Sequence, residues 1–211
     1  MDSRGAEVKC TQFGRRCLMR LSSVLAGICV VLASLGAKAT LAQTSHGTNL
    51  KAAPLILEKE EGERRVVRGW PGHPDPGESF ILKVDPKNGG SSHLVLLTAE
   101  LAPGKEIVTH RHPNADEILF LQTGTARVRL GNAVRDVHAG ATIFIPANTR
   151  IAVSNIGTDA IGVLSVFSAP GFDEFMRAGS VREGEKNVPL SPTEDKAIQK
   201  KHSHDVVYEE P

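Results

Sequence analysis

Gly104-Lys105-Glu106-Ile107-Val108-Thr109-His110-Arg111-His112-Pro113-Asn114-Ala115-Asp116-Glu117-Ile118-Leu119-Phe120-Leu121-Gln122-Thr123-Gly124 is the stretch that decides the fold. Glu106 to His110 and Glu117 to Gln122 are rich in aliphatic and β-branched residues, while Pro113 to Asp116 are turn formers. Side chains two apart on a strand share a face, so His110 and His112 project together, and Glu117 opens the return strand opposite them. Three donor groups then converge on one point.

The same texture extends in both directions. Short β-rich runs are expected at Phe80–Val84, His93–Leu101, Glu106–His110, Glu117–Gln122, Ala126–Leu130, Val134–His138, Thr142–Ile145, Arg150–Asn155 and Ile161–Phe167. Turn residues separate them, among them Asp85 to Gly90, Gly131-Asn132 and Pro146-Ala147-Asn148. Many short strands without intervening helical periodicity point to an all-β sandwich or barrel. Beyond it, Phe172–Ala178 reads as a helix with Phe172, Phe175 and Met176 on one side. A second helix is expected from Ser191 to about Lys201, with Pro192 in its first turn and Glu194 closing a capping box. Both helices are expected to cap the barrel, and the polar tail from His202 to Pro211 is expected to be mobile. Residues 43–77 read as an arm over the barrel, with a short strand at Leu55–Leu57, Trp70 as packing anchor, and a Pro/Gly stretch at Gly69–Gly77 that no long helix tolerates.

Gly104, His110, His112, Glu117 and Gly124 stand at the spacings of the first cupin motif, and the chain resembles the cupin superfamily over about Glu78 to Phe175. It resembles the small single-domain cupins of the quercetin-dioxygenase kind. The resemblance implies a double-stranded β-helix, or jelly-roll barrel, over 78–170, and the residues after it read as a helical segment and tail over 171–211. It also implies that His110, His112 and Glu117 are metal ligands. Neutral imidazoles and a carboxylate suit Fe(II) or Mn(II), with Zn(II) or Ni(II) as further candidates, and two His with one carboxylate leave positions open to substrate and O₂.

The second motif departs from the family. Gly140 and Pro146 stand in place, Asn148 replaces a glycine, Ile151 replaces the histidine that would be the fourth ligand, and Asn155 ends the motif. Asparagine tolerates left-handed backbone, but isoleucine cannot coordinate a metal. The site is therefore a three-ligand centre or a degenerate one. His93 and His138 have no spacing that points them inward, and His202 and His204 lie in the polar tail. Arg127 and Arg129 share a strand face read as solvated. Leu119, Leu121, Phe144 and Ile151 are the candidate pocket walls.

The first 42 residues have the profile of a cleaved signal peptide: scattered basic residues to Arg20, an apolar run from Leu21 to Ala37, and small residues at Ala39 and Ala42. Arg15-Arg16 followed by Cys17-Leu18-Met19-Arg20 resembles a twin-arginine signal. The expected destination is the periplasm or the medium, with no stable membrane anchor. All three cysteines lie in this segment, so the remainder has no thiol chemistry, while all eight histidines follow it. Six of the 25 basic and two of the 24 acidic residues also fall there, which leaves a slight acidic excess and no nucleic-acid footprint.

These features define two readings. In the first, the protein is a metal-dependent, dioxygenase-like oxidoreductase acting on a small organic molecule, with Glu117 also available as a base. In the second it is a non-catalytic small-molecule-binding or assembly cupin. Ile118 to Leu121 and Ile143 to Ile145 are apolar on both faces, from which a homodimer is expected.

Overall fold

The computed structural model describes residues 52–73 and 78–209. The proposed signal peptide and the three cysteines lie outside the described residues. The chain opens with β1 (Glu63–Val67), β2 (Glu78–Val84), β3 (Val95–Leu101) and β4 (Glu106–Arg111). It continues through β5 (Glu117–Thr123), β6 (Thr125–Leu130), β7 (Ala133–His138), β8 (Thr142–Ile145), β9 (Ile151–Asn155) and β10 (Ile161–Phe167). The C-terminal part holds α1 (Phe172–Ala178), β11 (Ser180–Arg182), α2 (Pro192–Lys201) and β12 (Val207–Tyr208).

The strands form two antiparallel sheets, ordered β11-β1-β2-β3-β10-β5-β8 and β12-β4-β9-β6-β7. Alternation decides which side of each strand faces inward. Along β5, Glu117, Leu119 and Leu121 are buried while Ile118, Phe120 and Gln122 face out. Leu119, Leu121, Ile161 and Val163 of the first sheet pack with Ala126, Val128, Ile151 and Val153 of the second, so one core joins the two sheets as a jelly-roll barrel. A second cluster, Phe80, Leu82, Val95, Leu97, Phe167, Phe172 and Val206, fills the other end. Each such buried aliphatic or aromatic side chain contributes about 1.5–3 kcal/mol.

Four expectations are corrected. Leu55–Leu57 forms no strand, and the arm's strand is β1, which pairs with β2 through Arg65↔Phe80 and with β11 through Val66↔Val181. The charged residues of β1, Glu63, Arg64 and Arg65, tolerate half-burial because their charges are matched. Arg177 binds Glu63 (2.8 Å), Asp85 (2.7 Å) and Asp173 (2.8 Å), and Arg65 binds Glu63 (2.7 Å). Just before β1, Lys83 Nζ donates to the carbonyls of Glu58, Lys59 and Glu61, which folds 58–61 back on themselves.

The second correction concerns α2, which forms with its capping box but buries no residue and so adds nothing to the barrel core. Its helical span, PTEDKAIQKK, has too few apolar residues for a packing stripe. The third is the tail. Val207 and Tyr208 pair with Arg111 and His110, and Val206 is buried. Its apolar Val206-Val207-Tyr208 triplet outweighs the polarity around it. The fourth is Phe144, discussed with the site below.

Candidate metal centre

His110 is the penultimate residue of β4, His112 lies just beyond the strand, and Glu117 starts β5 in the facing sheet. All three are buried (6%, 2% and 4% exposed), and one donor atom from each lies within 4.8 Å of the others. The crossing between the sheets is held from below. Asn148 N–H donates to the His112 carbonyl (2.6 Å), Ala147 N–H donates to Asp116 Oδ1 (2.8 Å), and Arg111 donates to Asn148 Oδ1. Asn148 has φ 65, the left-handed conformation anticipated for a residue in the glycine position. Gly124 (φ 80) closes the motif where a Cβ would meet the Ile161 side chain at 2.7 Å.

Hydrogen bonds fix the ring orientations. His110 Nδ1 lies 2.8 Å from the Val108 carbonyl and His112 Nδ1 lies 2.9 Å from the Asp205 carbonyl. A carbonyl only accepts, so each Nδ1 carries the hydrogen and each Nε2 keeps its lone pair. His112 Nε2 and Glu117 Oε2 are buried, have no hydrogen-bond partner, and face one another at 3.6 Å. Buried polar atoms without partners are costly, and a shared cation satisfies both. The residues present therefore fit a divalent metal.

The electrostatics agree. Burial raises the Glu117 carboxyl to about 7, against a hydrogen bond from Ser165 that lowers it. Burial, then the His110 charge, lowers His112 to about 3, and burial lowers His110. Both imidazoles are held neutral, the form that binds metal, and a cation would reverse the penalty on Glu117.

Around the donors the walls are apolar. His112 meets Phe167 (4.9 Å) and Phe172 (4.6 Å) edge-on, and Tyr208 lies 5.4 Å from the His110 ring. Ile151 is buried and pairs with His110, so an aliphatic side chain packs where the family places its fourth ligand. Leu119 and Leu121 share its core cluster. Phe144 does not line the site: it is 57% exposed and pairs with outward Ile118, whereas Ile145 pairs with Glu117. The strand's period of two put the wrong member of Ile143-Phe144-Ile145 inside.

The remaining candidates separate cleanly. His93, His138 and His204 are exposed, and His138 approaches Thr125 Oγ1 (3.2 Å). Arg127 is on the solvated face and clamps Asp136 with two bonds (2.7 and 2.9 Å). His202, expected in a solvated tail, is instead buried, and its Nδ1 lies 3.1 Å from Asp205 Oδ2. Four neighbours of the site went unforeseen: Asp205, Tyr208, Ser165 and Glu78. Glu78 lies on the inward face of β2, and burial raises its carboxyl to about 7. Asp205 and Tyr208 are some ninety residues from the motif, and only the apolar triplet beside them hinted at their docking.

Residues 97–167, spanning β3 to β10, match the cupin domain family Cupin_2. The chain carries a cupin domain there. This cupin is 26% identical over 111 residues to the tetracenomycin polyketide synthase protein TcmJ of Streptomyces glaucescens, covering 49% of this chain and 74% of that one. It is 30% identical over 69 residues to the uncharacterized protein MJ1618 of Methanocaldococcus jannaschii, covering 33% of this chain and about half (55%) of that relative. Among solved structures it is similar to an RmlC-like cupin from Shewanella frigidimarina, with TM-score 0.46, 15% identity, and 58% of this chain and 96% of that one covered.

Proposed function

We propose that His110, His112 and Glu117 hold one divalent first-row metal, Fe(II) or Mn(II) ahead of Zn(II) or Ni(II), and that the protein is a dioxygenase-like oxidoreductase acting on a small organic molecule. The observation that carries this reading is the pair of orphaned buried atoms, His112 Nε2 and Glu117 Oε2, facing one another at 3.6 Å with His110 alongside. When bound, such an ion supplies Lewis-acid polarisation and a redox centre, with coordination positions left for substrate and O₂.

The chain's own groups prepare that chemistry. The two Nδ1–H bonds leave both Nε2 lone pairs free for coordination, and His112 Nε2 faces Glu117. Glu117 would give up its proton to hold a cation, and a Glu117 left uncoordinated would serve as the base. Ile151, Leu119 and Leu121 exclude water from the inner end of the barrel. The relation to TcmJ, named as a polyketide synthase protein, supports a small organic substrate.

One observation favours the alternative, a non-catalytic binding or assembly cupin: Ile151 stands at the fourth ligand position. Metal analysis separates the two. Near-stoichiometric Fe or Mn by mass spectrometry, lost in His110→Ala, together with O₂ uptake on a substrate panel, is the expected outcome. Absence of metal from both proteins after reconstitution with Fe(II) and Mn(II) would replace the enzyme reading with the binding one.

Residues 1–42 are proposed to direct export to the periplasm or medium, and lysine at Arg15 and Arg16 should block it. A homodimer is proposed through the outer face of the first sheet. Leu96, Val166, Ile118 and Phe144 stand in one cross-strand row there, with Ile118 45% and Phe144 57% exposed. A light-scattering mass equal to one subunit would refute it.

A further inference from the structure

The tail from His202 to Glu209 closes over the ligand strand β4 in four ways. Val207 and Tyr208 pair with Arg111 and His110, and Glu209 N–H donates to the Thr109 carbonyl (3.0 Å). Val206 is buried among Phe80, Phe167 and Phe172 in the second core cluster. Asp205 sits at the end of a turn that begins at His202, where its N–H and that of Val206 both reach the His202 carbonyl (2.9 and 3.0 Å). Its side chain binds His202 Nδ1, and it lies so close to Gly171 that a Cβ there would stand 2.1 Å from Asp205 Oδ1. That turn delivers one main-chain oxygen, the Asp205 carbonyl, to His112 Nδ1.

We infer that the C-terminal strap is a positioning element of the metal centre: the Asp205 carbonyl sets the orientation and tautomer of His112, and metal affinity depends on the strap being docked. The inference rests on the metal reading above. No other polar contact reaches His112 Nδ1 among the described hydrogen bonds. A free imidazole prefers its hydrogen on Nε2, the nitrogen that here faces Glu117. The Asp205 carbonyl reverses that preference before any ion arrives, and the hydrogen bond it accepts makes the ring a better donor. Phe167 and Phe172 restrict the ring plane, but being apolar they cannot choose between the two nitrogens. Coupling is reciprocal, so a bound cation also holds the strap down.

The experiment compares the intact chain, a chain ending at Lys201, and His202→Ala/Asp205→Ala, which loosens the turn while keeping its carbonyl. Circular dichroism and melting establish that each folds, and the double variant decides if the truncation does not. Ring ¹⁵N chemical shifts of the metal-free proteins report the His112 tautomer. Calorimetry with Zn(II), a diamagnetic probe, reports affinity. The intact chain should show Nδ1–H at His112. The variants should shift toward Nε2–H, and Zn(II) binding should weaken by about 10- to 100-fold in the truncation, the usual cost of removing a ligand's outer partner, and less in the double variant. An unchanged tautomer in a folded variant, or affinity within about threefold of intact once the tautomer has moved, would overturn the inference. If the intact chain itself binds no Zn(II), Fe(II) or Mn(II), the metal reading fails. The tautomer comparison then still tests the strap's hold on His112.

Discussion

The β4–β5 and β8–β9 segments each carry the chain from one sheet to the other, and they meet at their crossings through Asn148, His112, Ala147 and Asp116. One crossing delivers three donors to the barrel interior. The other retains every feature that serves the backbone and lacks the one that serves a metal. Asn148 keeps the left-handed turn, and Asn155 keeps its three bonds, donating to the Leu101 and Asp159 carbonyls and accepting from Gly157 N–H. Ile151 fills the ligand position with core. Fold-keeping and metal-keeping positions of the same motif are thus separable, because backbone geometry and coordination make independent demands on a side chain.

The comparison can be broken most sharply at the first crossing. His112→Ala removes a ligand and the ring that fills the Phe167–Phe172 box, and metal binding measured by calorimetry should weaken by more than about 100-fold. Retained affinity would mean that the three donors do not act together. The second crossing offers the converse. Ile151→His restores a donor beside His110, and affinity for Zn(II) or Mn(II) should rise about tenfold or more, since each added ligand strengthens the site. No gain would show that the Ile151 position no longer points at the centre.

Proton release sharpens the contrast between the donors. Glu117 is raised to about 7 while His112 is lowered to about 3, so between pH 5 and 7 only the carboxyl must lose a proton on binding. Apparent affinity should rise about tenfold per pH unit up to about pH 7 and then flatten, with close to one proton released at pH 6. In the metal-free protein, the stability that the raised carboxyl contributes is fully present below the unfolded value of 4.5. It is lost as pH rises through about 7. Calorimetry in buffers of differing ionisation enthalpy measures the proton, and a pH-independent affinity would contradict the assignment.

Smaller effects belong to positions that serve the backbone alone. Asn155→Ala should lower stability by about 2–3 kcal/mol in urea, because it strips partners from buried groups, yet leave metal affinity unchanged. A matching loss of affinity would tie the second crossing to the site after all. Arg127→Ala, on the solvated face, should change neither melting temperature nor metal content measurably.

The barrel was legible in the sequence because strand and turn chemistry is local. Nine expected strands correspond to β2 through β10, and Phe172–Ala178 matches α1 residue for residue. The His110, His112 and Glu117 grouping was legible for the same reason, since a period of two and one crossing turn bring those residues together over eight positions. Errors arose where local signals conflict. Every residue of Ile143-Phe144-Ile145 is apolar, so composition could not say which faces inward, and only the pairing of Ile145 with Glu117 settles it. No strand was expected at the charged β1 because its partners, Arg177 and Ser180, lie more than a hundred residues away.

By itself, then, the chain's order of residues determined an all-β barrel with three donors on facing strands, because those features depend on neighbours in sequence. Only the tertiary structure decided that His112 Nε2 faces Glu117 Oε2, that His112 takes its orientation from the Asp205 carbonyl, and that the tail is docked. Those outcomes depend on hydrogen bonds and burial between segments as much as ninety-three residues apart, and no local pattern encodes such a meeting.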